Sequence, residues 1–340
     1  MSTPFVAYKP TTEDYWRGII LFGRNVATYK FALAQSLLEI RPQAGQLVRL
    51  EELAVPFSAS LCAHLRLAQR QGTSPGSRFL DACRRANLGE LTPTQLIDET
   101  VRLGFKDVIG AFHVLGRDEI QQPFFLDERK SSGGIRITEA FSRLLAGVQA
   151  QNLPSEADAR WRLVETAWEV GVTPALLAVS HDPETESLFL IDDQRRRKSI
   201  TGARAALSGY QKGHCFHCFD SIAVLGSSPP DVDHFFPHFL KSAGTFASLD
   251  GVWNLVLACR RCNRGAHGKF SHVPSLRLLE RLHARNEFLI ASNHPLKETL
   301  MAQTGSTEPD RRTFLNGIHA AAKARLIHEW HPQEVQQPLF

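Results

Sequence analysis

Four short stretches decide how this chain is read: Cys215-Phe216-His217-Cys218, Val232-Asp233-His234-Phe235-Phe236-Pro237, Asn254-Leu255-Val256-Leu257-Ala258-Cys259, and Cys262-Asn263-Arg264 running on to Lys269. The first and last supply two Cys-x-x-Cys pairs, Cys215/Cys218 and Cys259/Cys262, with 40 residues between them. In a reducing compartment, such separated pairs argue for a tetrahedral structural zinc rather than two disulfides. Redox chemistry is the alternative reading of the same spacing. Thiolates hold zinc at about 2.3 Å in a closed site, which adds folding free energy without offering a position to substrate. The other two cysteines, Cys62 and Cys83, stand alone and are expected to be buried small hydrophobes.

Between the pairs lie residues suited to a different chemistry. Hydrolysing a phosphodiester needs a base to activate water and a cation to stabilise charge on the phosphorane and the departing 3′ oxygen. Asp233 offers a carboxylate and Asn263 a neutral carbonyl oxygen, donors that a hard ion accepts alongside water and phosphate. His234 follows Asp233 on an expected short strand, points to the other side of the chain, and can act as the base.

Taken together, the four stretches resemble the HNH endonuclease family, also called ββα-metal or His-Me finger nucleases, over residues 215–269. The resemblance implies an α+β chain whose finger is held by Zn2+ on the four cysteines. It also implies a catalytic Mg2+ or Mn2+ on Asp233 and Asn263, His234 as general base, and Asn254 fixing the loop that carries the base. The motif's last position, a histidine in the family's name, is Asn263 here, as in the HNH domains of RNA-guided DNA-cutting effectors. An oxygen ligand at that place favours magnesium or manganese over softer ions. A zinc ribbon that binds nucleic acid without cutting it is the competing reading of these residues.

The rest of the chain bounds the reading. At 340 residues, with 43% hydrophobic and 22% charged residues, it is long enough for about two domains and excludes collagen-like or wholly disordered classes. No run is apolar enough to span a bilayer, and the start lacks the pattern of a secretory signal, so a cytoplasmic, bacterial setting without membrane partners is expected. The net charge of +4 is unevenly spread: residues 194–290 hold 14 Lys+Arg against 6 Asp+Glu, a net of +8. That basic segment fits a DNA partner, and Arg260, Arg261, Arg264 and Lys269 are the expected phosphate contacts. The run Arg195–Lys198 reads equally as a solvated helix start.

Apolar spacing predicts a long helix from Tyr15 to about Leu38 and further helices at 58–70, 77–86, 92–103, 139–145, 157–170, 275–289 and 311–330. Phe124–Asp127 and Gly134–Thr138 read as a hairpin, Leu188–Ile191 as a strand, and 195–210 as helix-like. The expected organisation is a mostly helical domain at 1–190, a zinc-bearing HNH nuclease at 191–290, and a helical extension at 291–340. Polar Asn25, Tyr29 and Lys30 interrupt the first helix and are read as exposed positions on a packed one. The helical half carries no chemical motif; binding a partner protein, restraining the nuclease and recognising a DNA feature stay open for it. By analogy with stand-alone bacterial HNH proteins, restriction or anti-phage defence is the expected setting.

Overall fold

The computed structural model describes residues 11–22, 27–73, 76–115, 118–169, 179–182, 184–191, 197–224, 228–237, 240, 249, 251–291 and 297–333. The chain is α+β and divides into two compact units between Gly171 and Val172. A boundary near residue 190 would part strands that are hydrogen-bonded to each other, as set out below. Among the described residues, no helix is long and apolar enough to cross a membrane.

The N-terminal unit contains α1 (Thr12–Arg17), α2 (Tyr29–Ile40), β1 (Leu47–Arg49), α3 (Leu50–Leu67), α4 (Arg78–Asn87), α5 (Pro93–Glu99), α6 (Val108–Ala111), β2 (Val114–Leu115) and β3 (Asp118–Glu119). These are followed by β4 (Phe125–Glu128), α7 (Arg129–Ser132), β5 (Gly134–Ile137), α8 (Glu139–Ala146) and α9 (Leu153–Glu169). The expected long first helix is not continuous. Thr11 opens α1 with a reciprocal capping box to Asp14, a π-helical stretch follows at Gly18–Phe22, and α2 starts afresh at Tyr29. Asn25 and Val26 lie outside the described residues. Lys30 is buried rather than exposed, and burial holds its pKa down to about 8. Helix α3 begins eight residues earlier than its spacing suggested, because it runs through Pro56, which normally marks a helix start rather than an interior. The expected hairpin forms as β4 and β5, with α7 between them and β1 added on the far edge of β5. Cys62 and Cys83 are both buried, and the Cys62 thiol donates to the Cys83 carbonyl at 3.6 Å.

Aromatic packing fills this unit's core. Trp16 meets the edge of Phe124 at 5.3 Å, and His64 lies flat on Trp161 at 3.6 Å. His64 also bridges two carboxylates, Glu165 at 2.7 Å and Asp158 at 3.2 Å. Burial opposes its protonation, yet the two carboxylates outweigh burial and raise its pKa. His113 is shifted the opposite way, to about 4, by burial and then by Lys30. The His64 contribution to stability is complete below the unfolded value of about 6.5 and is lost as pH rises through the raised folded value. The His113 contribution is present above about 6.5 and is lost as pH falls toward 4. Below about pH 8, where Lys30 stays charged, the unit's resistance to hydrogen exchange is therefore expected to peak near pH 6.5. His64→Gln should flatten the alkaline limb only; a limb that survives in this variant belongs to another group.

The C-terminal unit contains β6 (Val179–Asp182), β7 (Ser187–Ile191), β8 (Arg197–Gly202), α10 (Ala203–Tyr210), β9 (Asp231–His234), β10 (Leu255–Ala258), α11 (Arg260–Arg264), β11 (Val273–Pro274), α12 (Leu276–Ala291), α13 (Lys297–Thr304), α14 (Glu308–Leu326) and β12 (Glu329–Trp330). Strands β6, β7 and β8 form an antiparallel sheet in that order, with Val179 opposite Leu190 and Leu190 opposite Lys198. Over 197–202 this pairing replaces the expected helix: Ile200 and Thr201 suit a pleated strand, and helix starts only at Ala203. Arg195 and Arg196 lie outside the described residues. β9 and β10 pair antiparallel, and α11 follows one residue later, so the ββα order is present. α12 matches its expected span closely, whereas α14 starts and ends a turn early, and Trp330 lies on β12.

Candidate metal centre and hydrolytic site

The four sulfurs of Cys215, Cys218, Cys259 and Cys262 all lie within 4.8 Å of one another and could hold a metal ion. Among the described residues this is the one group of three or more Cys, His, Asp or Glu arranged for that task. The Cys218 and Cys259 sulfurs are 3.8 Å apart. Bonds of about 2.3 Å to one tetrahedral zinc put sulfurs about 3.8 Å apart, so the donor set fits. Hydrogen bonding among the crowded thiols pulls Cys218 and Cys259 below the ordinary thiol range and pushes Cys215 and Cys262 above it. A dication relieves that competition, because all four can then be thiolates.

Local backbone bonds build each cysteine turn. In the first, Cys215 N–H donates to the Asp220 carbonyl at 2.8 Å and Phe219 N–H to the Cys215 carbonyl at 3.0 Å, with Phe219 in the left-handed region at φ 65°. In the second, Cys259 precedes α11 and its carbonyl accepts from Asn263 N–H at 3.0 Å. The two turns meet where Cys259 N–H donates to the Cys215 sulfur at 3.3 Å. Gln211 staples the first turn to β10: its amide donates to the His214 and Leu257 carbonyls and accepts from Leu257 N–H, all between 2.7 and 2.9 Å. From α12, Arg281 donates to the Phe216 carbonyl at 2.6 Å and sits 3.8 Å over the Phe219 ring. Its neighbour one turn on, the fully buried Arg285, donates to the carbonyls of Leu255 and Trp253. Gln211, Arg281 and Arg285 carry no motif that would have marked them in the sequence.

His234 ends β9 opposite Leu255, and the chain then turns through Phe235 and Phe236. Asn254 holds that turn. Its side-chain oxygen accepts from Phe236 N–H at 2.8 Å, and its amide donates to the carbonyls of Phe236 at 3.1 Å and Leu249 at 2.8 Å. All three bonds are inaccessible to water, since Asn254 is fully buried. Asn254→Ala leaves these backbone groups without a partner and is expected to cost about 3 kcal/mol or more, at about 1–3 kcal/mol for each group. Asn254→Asp, which keeps an acceptor for Phe236 N–H but repels two carbonyls, should be no better. Chemical denaturation checks both variants.

The remaining expected residues fall out differently. Asp233 is buried, with Oδ1 3.2 Å from the Lys269 ammonium and Oδ2 3.4 Å from His217 Nε2. The Asn263 amide donates to Asp231 at 3.0 Å, and Asp231 also accepts from Arg264 at 2.7 Å. Both oxygens of Asp233 thus face donors, and a dication there would sit beside a buried ammonium. As placed, Asp233 and Asn263 do not fit a hard dication.

Lys269 is not a phosphate contact. It is fully buried, and its ammonium is committed to Asp233, to the His234 carbonyl at 2.9 Å and to the Phe270 carbonyl at 3.3 Å. Gly268 makes its approach possible, since a Cβ there would lie 2.7 Å from the Asn263 carbonyl oxygen. Arg260, Arg261 and Arg264 are exposed; Arg261 pairs with Asp220 and Arg264 with Asp231.

His217, to which the sequence reading assigns no role, contacts Asp233, and His181 on β6 brings its ring 5.7 Å from that of His234. His214 is bonded within its own turn and His267 is exposed, while His238 lies outside the described residues. No protein-family model matches this chain, and no curated protein or solved structure matches it.

Proposed function

We propose that the C-terminal unit is a DNA endonuclease or nickase of the HNH type, stabilised by zinc on Cys215, Cys218, Cys259 and Cys262. The observation that carries this reading is the combination of His234 at the end of β9, Asn254 bonding the turn behind it, and α11 following β10 beside a four-cysteine cluster. His234 is the base that removes a proton from the attacking water, a role suited to imidazole near neutral pH. Arg260, Arg261 and Arg264 supply phosphate contacts. The Arg261–Asp220 pair is a surface pair worth about 1 kcal/mol or less, so a phosphate can displace it, whereas Asp231, paired with Arg264, is largely buried. One such centre cuts one strand at a time, and a double-strand break takes two centres or two events. Dependence on Mg2+ or Mn2+ is the expectation that accompanies the resemblance; with Asp233 and Asn263 as placed, no step is assigned to the ion. The proposed setting is the bacterial cytoplasm, in restriction or anti-phage defence.

One observation favours a second reading, a non-cutting zinc module that binds nucleic acid: the acid expected to hold the ion is occupied by Lys269 and His217. Incubation of supercoiled plasmid with Mg2+, Mn2+ or chelator, using the parent, His234→Ala and Asn263→Ala, separates the two. Nicking by the parent that His234→Ala abolishes supports the endonuclease. Binding without nicking by all three supports the module.

A further inference from the structure

Asp233 sits where both cysteine turns reach the strand that carries His234. His217 lies inside the first turn, one residue before Cys218, and has none of its surface exposed. Its Nε2 is 3.4 Å from Asp233 Oδ2. Lys269 is tied to the second turn by its backbone, whose N–H donates to the Cys262 carbonyl at 2.6 Å. Its ammonium, also fully buried, spans Asp233 Oδ1 and the carbonyl of His234 itself. Each turn of the cluster therefore places one side chain on the same carboxylate, and one of those side chains also grips the backbone of the candidate base.

The energetics bind these groups into a unit. A buried ammonium is costly without a counter-charge, and Asp233 provides it. Asp233 is itself only 8% exposed, so neither partner can be exchanged for water while the turns stay closed. The first turn is laid on β10 through Phe216 N–H to the Leu257 carbonyl at 2.9 Å, and β10 is the strand paired with β9. Any change in the spacing of the sulfurs must move His217 and Lys269, and with them the Asp233–His234 peptide.

We infer that Asp233 is a clamp rather than an ion ligand, and that His217 and Lys269 are positioning residues through which the four-cysteine metal cluster sets the placement of His234. This rests on the endonuclease reading only for its effect on rate; the structural coupling stands apart from it.

The test uses the full zinc-loaded chain with 13C-labelled histidine, assigned through His234→Ala. The first arm needs no substitution: zinc is exchanged for cadmium, whose bonds to sulfur are longer. The His234 ring Cε1–H resonance is expected to shift, although no bond links that ring to the metal; a resonance that stays in place overturns the inference. In the second arm, His217→Leu is expected to keep one zinc per chain, shift the same resonance and lower kcat for plasmid nicking by about tenfold or more, with KM changed by less than about threefold. His217→Gln, which retains a donor toward Asp233, should recover most of the rate. A His217→Leu protein that holds zinc with the His234 resonance and kcat unchanged also overturns the clamp. If His217→Leu does not fold, the cadmium arm decides. Should the resonance respond as expected while the parent cuts no plasmid, the endonuclease reading fails and the clamp stands. Should the parent cut plasmid while the resonance ignores cadmium, the clamp fails and the endonuclease reading stands.

Discussion

Cys262→Ser is expected to have the largest effect on folding of any single substitution in the C-terminal unit. Structural zinc contributes about 10–16 kcal/mol in small zinc domains, as much as the whole stability of an ordinary domain. The unit also has an apolar core, with Trp253, Leu255, Leu257 and Leu282 all fully buried, so some order should survive loss of the metal. What should be lost is the region that the cluster organises: both cysteine turns, α11, and the contacts of Arg281 and Gln211 with the first turn. Without a dication the four crowded thiols compete for protons, a competition that bound zinc relieves by holding all four as thiolates. Metal analysis should find one zinc per parent chain and none in the variant, with a lower melting temperature and faster hydrogen exchange at residues 214–219 and 259–264. A parent that melts unchanged after complete chelation would reduce the cluster to four neighbouring thiols with no structural metal.

His234→Ala should lower plasmid nicking by about 10²–10⁴-fold, the usual span for removing a general base. The substitution should leave the frame standing, because backbone groups hold this turn: Lys269 bonds the His234 carbonyl, and the neighbouring Phe235 N–H donates to the Asn254 carbonyl at 2.7 Å. Zinc content and melting should therefore match the parent while the rate collapses. Retained cutting would move the base elsewhere, and His181, 5.7 Å away ring to ring, is the first residue to substitute next.

Different parts of this architecture were legible for different reasons. The two Cys-x-x-Cys turns, the Asp233-His234 pair and Asn254 could be read because each is a short spacing of chemically distinctive residues. Helices α4, α8, α9 and α12 were readable from apolar periodicity, since each buries one face. The β6-β7-β8 sheet was not. Its central strand was visible, but its partners were set by pairing across the hairpin, which carries little local signal. The break between α1 and α2 was hidden for the opposite reason: the apolar spacing runs on to Leu37, whereas Ala27 and Thr28 are not helical and α2 starts only at Tyr29.

Lys269 shows the limit most clearly. As one more cation in a basic stretch it was grouped with Arg260, Arg261 and Arg264, and nothing local distinguishes a buried ammonium from an exposed one. Burial depends on Asp233, 36 positions earlier, and on a close turn that Gly268 permits. The same applies to His217 against Asp233 and Asn263 against Asp231, where the partner lies on another element.

The sequence by itself determined which residues could do chemistry here and where the sulfur donors stand, because donor type and short spacing are written in consecutive residues. Only the tertiary structure decided what those residues touch. It placed Asp233 between a buried lysine and a buried histidine and left three of the four expected cations at the surface, since desolvation and ion pairing depend on distances in space that chain spacing does not encode.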